Sequence, residues 1–217
     1  FLNSVFDEQE VARERPVIYQ EIGMVEDSPE EWVHAKISPA FWGSHALGRS
    51  ILGTPETVQG FDSRAIRAFF KSRYQPDRIV IAAAGNLRHD RLVELLAPVF
   101  SSISTGSGLA DRCSPTDAGG VNCRHRDLEQ THFCLGMRGV SVTDERRFAA
   151  ALFNTVLGGN MSSRLFQTIR EERGLAYSIY SFLTSYADVG MLGIYSAVTP
   201  EDVGACIRLI MDQVHRL

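Results

Sequence analysis

The chain has 217 residues, 44% of them hydrophobic and 22% charged, and a net charge of −4. That balance is ordinary for a soluble globular protein of one large or two small domains, and it argues against a nucleic-acid surface. The longest apolar run, Ile79 to Ala84, is too short to cross a bilayer, so no membrane partner is expected.

In chain order, residues 7–36 are rich in helix formers and charge. Apolar positions at Val11, Val17, Ile18, Ile22 and Val25 predict helices with one buried face. Pro16 lies among them and is expected either to start a helix in its first turn or to kink one. Asp27-Ser28-Pro29-Glu30-Glu31 reads as a cap, a first-turn proline and the acidic first turn of the next helix. Gly43 to Gly60 reads as loop. Ser63 to Tyr74 is predicted helical, Arg78 to Ala84 (RIVIAAA) a buried strand ended by Gly85-Asn86, and Arg88 to Phe100 an amphipathic helix.

Residues 101–120 are polar, dominated by Ser, Gly, Thr and Asp, and lack apolar periodicity. A linker is expected at 105–119, dividing an α+β part at 1–104 from another at 120–217. In the second part, strands are predicted near 121–127 and 131–139, helices near 144–157 and 162–172, strands near 177–186 and 189–198, and a last helix from about 200. Short links between paired strands predict antiparallel hairpins, hence an α+β fold with helices packed on antiparallel sheets. The chain opens on Phe1 and closes on an amphipathic segment with no stop signal, so both ends are expected to be cuts in a longer protein.

Four cysteines, at 113, 123, 134 and 206, include no Cys-x-x-Cys pair. They do not suggest a disulfide scaffold, which favours a reducing compartment such as the cytoplasm.

Four groups of residues could carry chemistry. Glu14 and Glu21 are two helical turns apart and would share a face on a continuous helix, as a metal ligand and its supporting carboxylate do; a solvated acidic face is the plainer alternative. Leu157-Gly158-Gly159-Asn160 lacks the Gly-Lys-Ser/Thr ending of a phosphate loop and reads as a helix stop, with Ser162 or Ser163 capping the next helix. Arg173 and Tyr180 flank a helix-to-strand turn, where together they could hold a peptide carbonyl or a developing oxyanion; an exposed arginine and a half-buried strand tyrosine would look the same. Cys123, His125, His132 and Cys134 have strand spacing and would meet across a hairpin as a Cys2His2 zinc site, or simply pack there.

Several segments, taken together and in order, resemble the processing-peptidase branch of the pitrilysin/insulinase metallopeptidases. They are FDEQEVARERPVIYQEIGMVEDSPEEWVHAKI (6–37), HALGRSILGTPETV (45–58), SRYQPDRIVIAAAGNLRHD (72–90) and LGGNMSSRLFQTIREERGLAYSIYS (157–181). The resemblance implies a zinc endopeptidase with an inverted H-x-x-E-H motif, acting on peptides or presequences. It implies that Glu21 is a zinc ligand, Glu14 the assisting acidic residue, and Arg173 and Tyr180 substrate contacts. No H-x-x-E-H occurs in the chain. The 217 residues are therefore expected to be an internal fragment, inactive alone, holding the C-terminal half of one peptidase-like domain and the N-terminal half of a second. Zinc is expected in the parent protein but not at the catalytic site of this fragment. The alternative is a non-catalytic partner subunit of the same fold that holds peptide. Uncovered apolar faces are expected to favour a homodimer or a paired subunit.

Overall fold

A computed structural model describes residues 3–101, 103, 113–116 and 119–217. Most of the expected linker, residues 105–112 and 117–118, lies outside the described residues. The chain forms two compact units, one from Phe1–Gln20 and Thr54–Arg112, the other from Glu21–Gly53 and Cys113–Leu217.

Helix α1 (Glu8–Asp27) begins in the first unit and ends in the second. The Asp7 carboxylate starts it by accepting from the N–H groups of Gln9 and Glu10. Pro16 neither starts nor ends it. The ring removes the bond that residue 16 would make to the Ala12 carbonyl and crowds that carbonyl, yet the helix runs on through it.

In the first unit, α3 (Pro55–Gln59), α4 (Ser63–Arg73) and α5 (His89–Phe100) follow. Helix α3 lies within the stretch expected to be loop. Thr54 and Thr57 close a reciprocal cap around Pro55, a start signal the glycines around it obscured. Tyr19 donates to the Gln59 side chain at 3.0 Å, Arg67 to the Val5 carbonyl at 2.7 Å, and the rings of Phe6 and Phe70 lie 5.2 Å apart. Helices α4 and α5 bury no residue, so Phe69, Leu95 and Val99 of their apolar faces stay exposed. RIVIAAA forms no strand, and Val80 is 93% exposed. Its composition suits a strand, but a strand exists only within a ladder, and among the described residues none lies beside it.

In the second unit, α2 (Pro29–Trp42) starts as the sequence predicts, with Ser28 Oγ accepting from the Glu31 N–H at 3.3 Å and Pro29 in the first turn. Strands β1 (Thr131–Gly139), β2 (Ala176–Ser185) and β3 (Gly190–Val198) form one antiparallel sheet in the order β1-β3-β2. Every residue of β3 is buried. One face of the sheet carries Leu135, Ile179, Ile194 and Val198 into the main core. There they pack with Leu157, the last residue of α6 (Arg147–Leu157), with Leu165 and Ile169, and with Cys206 and Ile210 of α7 (Val203–His215). The other face carries Cys134, Phe182 and Met191 against Ile37, Phe41 and Trp42 of α2. Gly193 lies in the middle of that face, and a Cβ on it would fall 2.1 Å from the Phe182 ring, so the glycine makes room for the aromatic across the strand.

Residues 121–127 form no strand. Arg124 and Arg126 instead bind the Glu26 carboxylate at 3.2 and 3.5 Å and lie over the Trp32 ring. Arg126 also donates to the Glu26 carbonyl at 2.6 Å. The last turn of α1 has no basic residue of its own, and these two arginines supply the missing positive charge.

Candidate functional site

Tyr180 is placed by two irregularities in the chain before it. Residues Phe166–Glu171 are wound as a π-helix, and the turn that follows it carries Gly174 at φ +63°. There the N–H groups of Gly174 and Leu175 donate to the carbonyls of Arg170 and Ile169, each at 3.0 Å. The turn leads straight into β2, whose register slips between Ala176 and Ser178 and leaves Tyr177 bulged. Because side chains alternate along a strand, one extra residue reverses which face every later side chain takes. Ala176 and Ile179 thus both enter the main core, and Tyr180 turns to the α2 face. The Arg170 guanidinium covers the bulged Tyr177 ring at 4.6 Å.

On the α2 face, Tyr180 meets a polar cluster. Its hydroxyl donates to Glu30 Oε1 at 2.8 Å and lies 2.8 Å from His34 Nε2. Glu30 and His34 are one helical turn apart on α2. The His34 ring lies parallel to the Tyr180 ring at 5.8 Å and also touches Phe182 and Tyr195. Tyr195 pairs with Tyr180 across β2 and β3, and its hydroxyl is 2.9 Å from His132 Nδ1 on β1. Cys134 pairs with Tyr195 on the other side.

Burial, reinforced by Glu30, holds both tyrosine hydroxyls well above their ordinary range. Burial likewise pushes the Cys134 thiol up to about 12, again with Glu30 adding to the effect. Cys134 is therefore an unreactive thiol. At about pH 8, a disulfide reagent is expected to modify exposed Cys113 and Cys123 quickly, and Cys134 and Cys206 only once urea unfolds the chain.

The two histidines shift the other way. Burial lowers both below 6.5; Glu30 and Glu31 oppose this at His34, and Glu30 at His132. The folded state then binds fewer protons than the unfolded one. The stability these rings contribute is present above 6.5 and lost as pH falls through their lowered folded values. The urea midpoint is expected to fall from about pH 7 to about pH 5, less steeply in a His34→Gln variant.

The other sequence candidates lie apart from this cluster. Glu14 and Glu21 are both exposed on α1, Glu14 in the first unit and Glu21 in the second. Among the described residues, neither carboxylate has a hydrogen bond or ion pair. Arg173 is exposed in the turn before Gly174. With 121–127 forming no strand, no hairpin brings Cys123 and His125 to His132 and Cys134. His132 and Cys134 do share a face, as their spacing predicts, but it is the face of Tyr195 and Glu30. No group of three or more His, Cys, Asp or Glu residues among those described could hold a metal ion. A tetrahedral zinc site takes three or four donors from the protein, and no such group stands around Glu21 among the described residues.

Glu30, His34 and Tyr195 do not stand out in the sequence: Glu30 has the place of a helix-start acid, and Tyr195 that of any strand aromatic. The available signal was the four-residue spacing of Glu30 and His34 just after a capped helix start.

Gly158 explains the glycine loop without a phosphate. A Cβ there would lie 2.6 Å from the Ser181 nitrogen, and the Gly158 carbonyl accepts from that N–H at 3.0 Å. Neither Ser162 nor Ser163 caps the following helix through its side chain; the Asn160 side chain accepts from the Ser162 N–H and holds the turn.

Residues 61–217 match the peptidase M16 inactive domain, and residues 1–55 match the insulinase (peptidase family M16) domain. The chain belongs to the peptidase M16, or insulinase, family. It is 40% identical over 219 residues to an uncharacterised zinc protease of Streptomyces coelicolor, covering 97% of this chain and 48% of that protein. It is 43% identical over 195 residues to the uncharacterised zinc protease YmxG of Bacillus subtilis, covering 90% and 47%. It thus spans about half the length of these M16 relatives. A peptidase M16 inactive domain from Pseudomonas fluorescens shares the fold with a TM-score of 0.90 at 22% identity, over 99% of this chain and 52% of that one. A protease from Helicobacter pylori does so with a TM-score of 0.85 at 17% identity, over 97% and 52%. These structures bear out the expected α+β class. No helix among the described residues is long and apolar enough to cross a membrane.

Proposed function

We propose that this chain is the middle portion of a zinc-dependent M16 endopeptidase that hydrolyses peptides or presequences. In this reading the chain contributes Glu21 as one zinc ligand, Glu14 as its supporting carboxylate, and Arg173 and Tyr180 as peptide contacts. The observation that carries the reading is the pairing of an insulinase-type match over residues 1–55 with an exposed Glu21 whose carboxylate, among the described residues, has no hydrogen bond or ion pair. A solvated, unpaired carboxylate is free to take a metal ligand's place. The chain by itself lacks the remaining donors, so catalysis belongs to the longer parent protein.

For Tyr180, one further observation supports the reading. A hollow of about 240 Å³ opens between the Gly158–Met161 turn, Phe166 and Arg170, and the β2 residues Ser178 to Tyr180. It is of a size to receive one peptide side chain beside the strand. The second reading, a non-catalytic partner subunit, is favoured by the inactive-domain type of residues 61–217. In both readings a homodimer or a paired subunit covers apolar side chains left exposed on α4 and α5.

Zinc content and cleavage of an unstructured fluorogenic peptide by the parent protein separate the two. The peptidase reading expects bound zinc, chelator-sensitive cleavage, and a loss of about 100-fold or more in Glu21→Gln. A zinc-free, inactive parent would establish the partner-subunit reading.

A further inference from the structure

We infer that Glu30 and His34 are positioning residues for the Tyr180 hydroxyl, His34 orienting it and Glu30 acting as a built-in competitor for the peptide carbonyl it binds. The inference rests on Tyr180 being a substrate contact, as proposed above.

A phenol has one proton to donate and two lone pairs to accept with. The bond to Glu30 Oε1 at 2.8 Å uses that proton. The contact with His34 Nε2, also 2.8 Å, must then run the other way, with Nε2–H donating to the phenol oxygen. This fixes the neutral imidazole as the Nε2–H tautomer. Stacking on Tyr180 and contact with Phe182 hold the ring in place, so its N–H stays aimed at the hydroxyl.

A peptide carbonyl only accepts hydrogen bonds. It can use Tyr180 only by taking the place of Glu30, because one proton cannot serve both acceptors. His34 is not displaced in that exchange. By donating into the same oxygen, it holds the phenol in place while the proton turns from Glu30 to the carbonyl. Glu30 and His34 therefore act in opposite directions on peptide binding, although both hold the same atom.

The test uses the parent peptidase with an unstructured fluorogenic peptide, comparing KM and kcat. Glu30→Ala is expected to lower KM by about threefold to tenfold, the range one exchanged hydrogen bond spans. Glu30→Gln keeps an acceptor and should stay near wild type. His34→Ala should raise KM by a similar factor, with His34→Gln, which keeps an N–H donor, recovering part of it. In a Tyr180→Phe background all these shifts should vanish, and where Tyr180 is present the Glu30 and His34 effects should fall on KM rather than kcat. Thermal melts of each variant confirm that it is folded.

If Tyr180→Phe shifts KM while Glu30→Ala does not, the competitor role is overturned and the substrate contact stands. If Tyr180→Phe leaves KM unchanged, the substrate contact falls and the competitor role with it. The clamp has a separate readout in this chain, the ultraviolet titration of its six tyrosines. Glu30→Ala should move the late-titrating class to lower pH, and an unmoved titration would overturn the clamp.

Discussion

Replacing Leu165 by alanine is expected to destabilise the second unit by about 2–5 kcal/mol. Leu165 has no exposed surface and belongs to the cluster that joins Ile169, Ile194, Val198 and Ile210. Those neighbours come from the π-helix, the central strand and the last helix, so no single element can move in to fill the space. The loss should appear as a lower urea midpoint with an unchanged slope. Val80→Ala is the control. Val80 is as apolar as its neighbours but 93% exposed, and its truncation should change stability by less than about 0.5 kcal/mol. Equal losses at the two positions would contradict the burial of Leu165 and the exposure of Val80.

Gly190→Ala is expected to cost about 1–3 kcal/mol, towards the upper end of what overpacking causes. Gly190 opens β3 opposite Gly139 of β1, and a Cβ there would fall 2.1 Å from the Val140 carbonyl oxygen. The obstacle is backbone, which cannot turn aside as a side chain can. Gly204→Ala is the matching control. It lies inside α7, where the nearest atom to a new Cβ is the end of Arg208 at 3.5 Å. There alanine should raise stability by about 0.5–1 kcal/mol, the ordinary helix preference. Opposite signs for one chemical change would show that close approach, not glycine as such, sets the effect.

The capped start of α2, the three sheet strands and the helix stop at Gly158 were legible because each is fixed by neighbouring residues. Ser28-Pro29 carries its own cap, and β1 its own alternation. The misread segments depend on partners far along the chain. RIVIAAA has a strand's composition without a ladder, and residues 121–127 alternate like a strand while their arginines bind Glu26. A strand tyrosine looks the same wherever it points, so only the family resemblance singles out Tyr180. Its direction comes from the bulge at Tyr177, a shift of one residue that leaves no mark in composition. Glu30 and His34 acquire meaning only once α2 packs on the sheet face that Tyr180 occupies.

The strand order has a consequence for how the chain is made. Of the three strands, β3 is synthesised last, yet it lies between the other two. When β1 leaves the ribosome it has no strand to pair with, and it waits while residues 140–189 are translated, a few seconds at about 5–20 residues per second. Strand β2 waits more briefly, because only residues 186–189 separate it from β3. The sheet then closes from its centre, the β2–β3 hairpin first and β1 after the longer loop is gathered in. Until then Phe133, Leu135 and Met137 of β1 lack the core they later pack against. Nascent β1 is thus the segment of this unit most in need of a chaperone's cover.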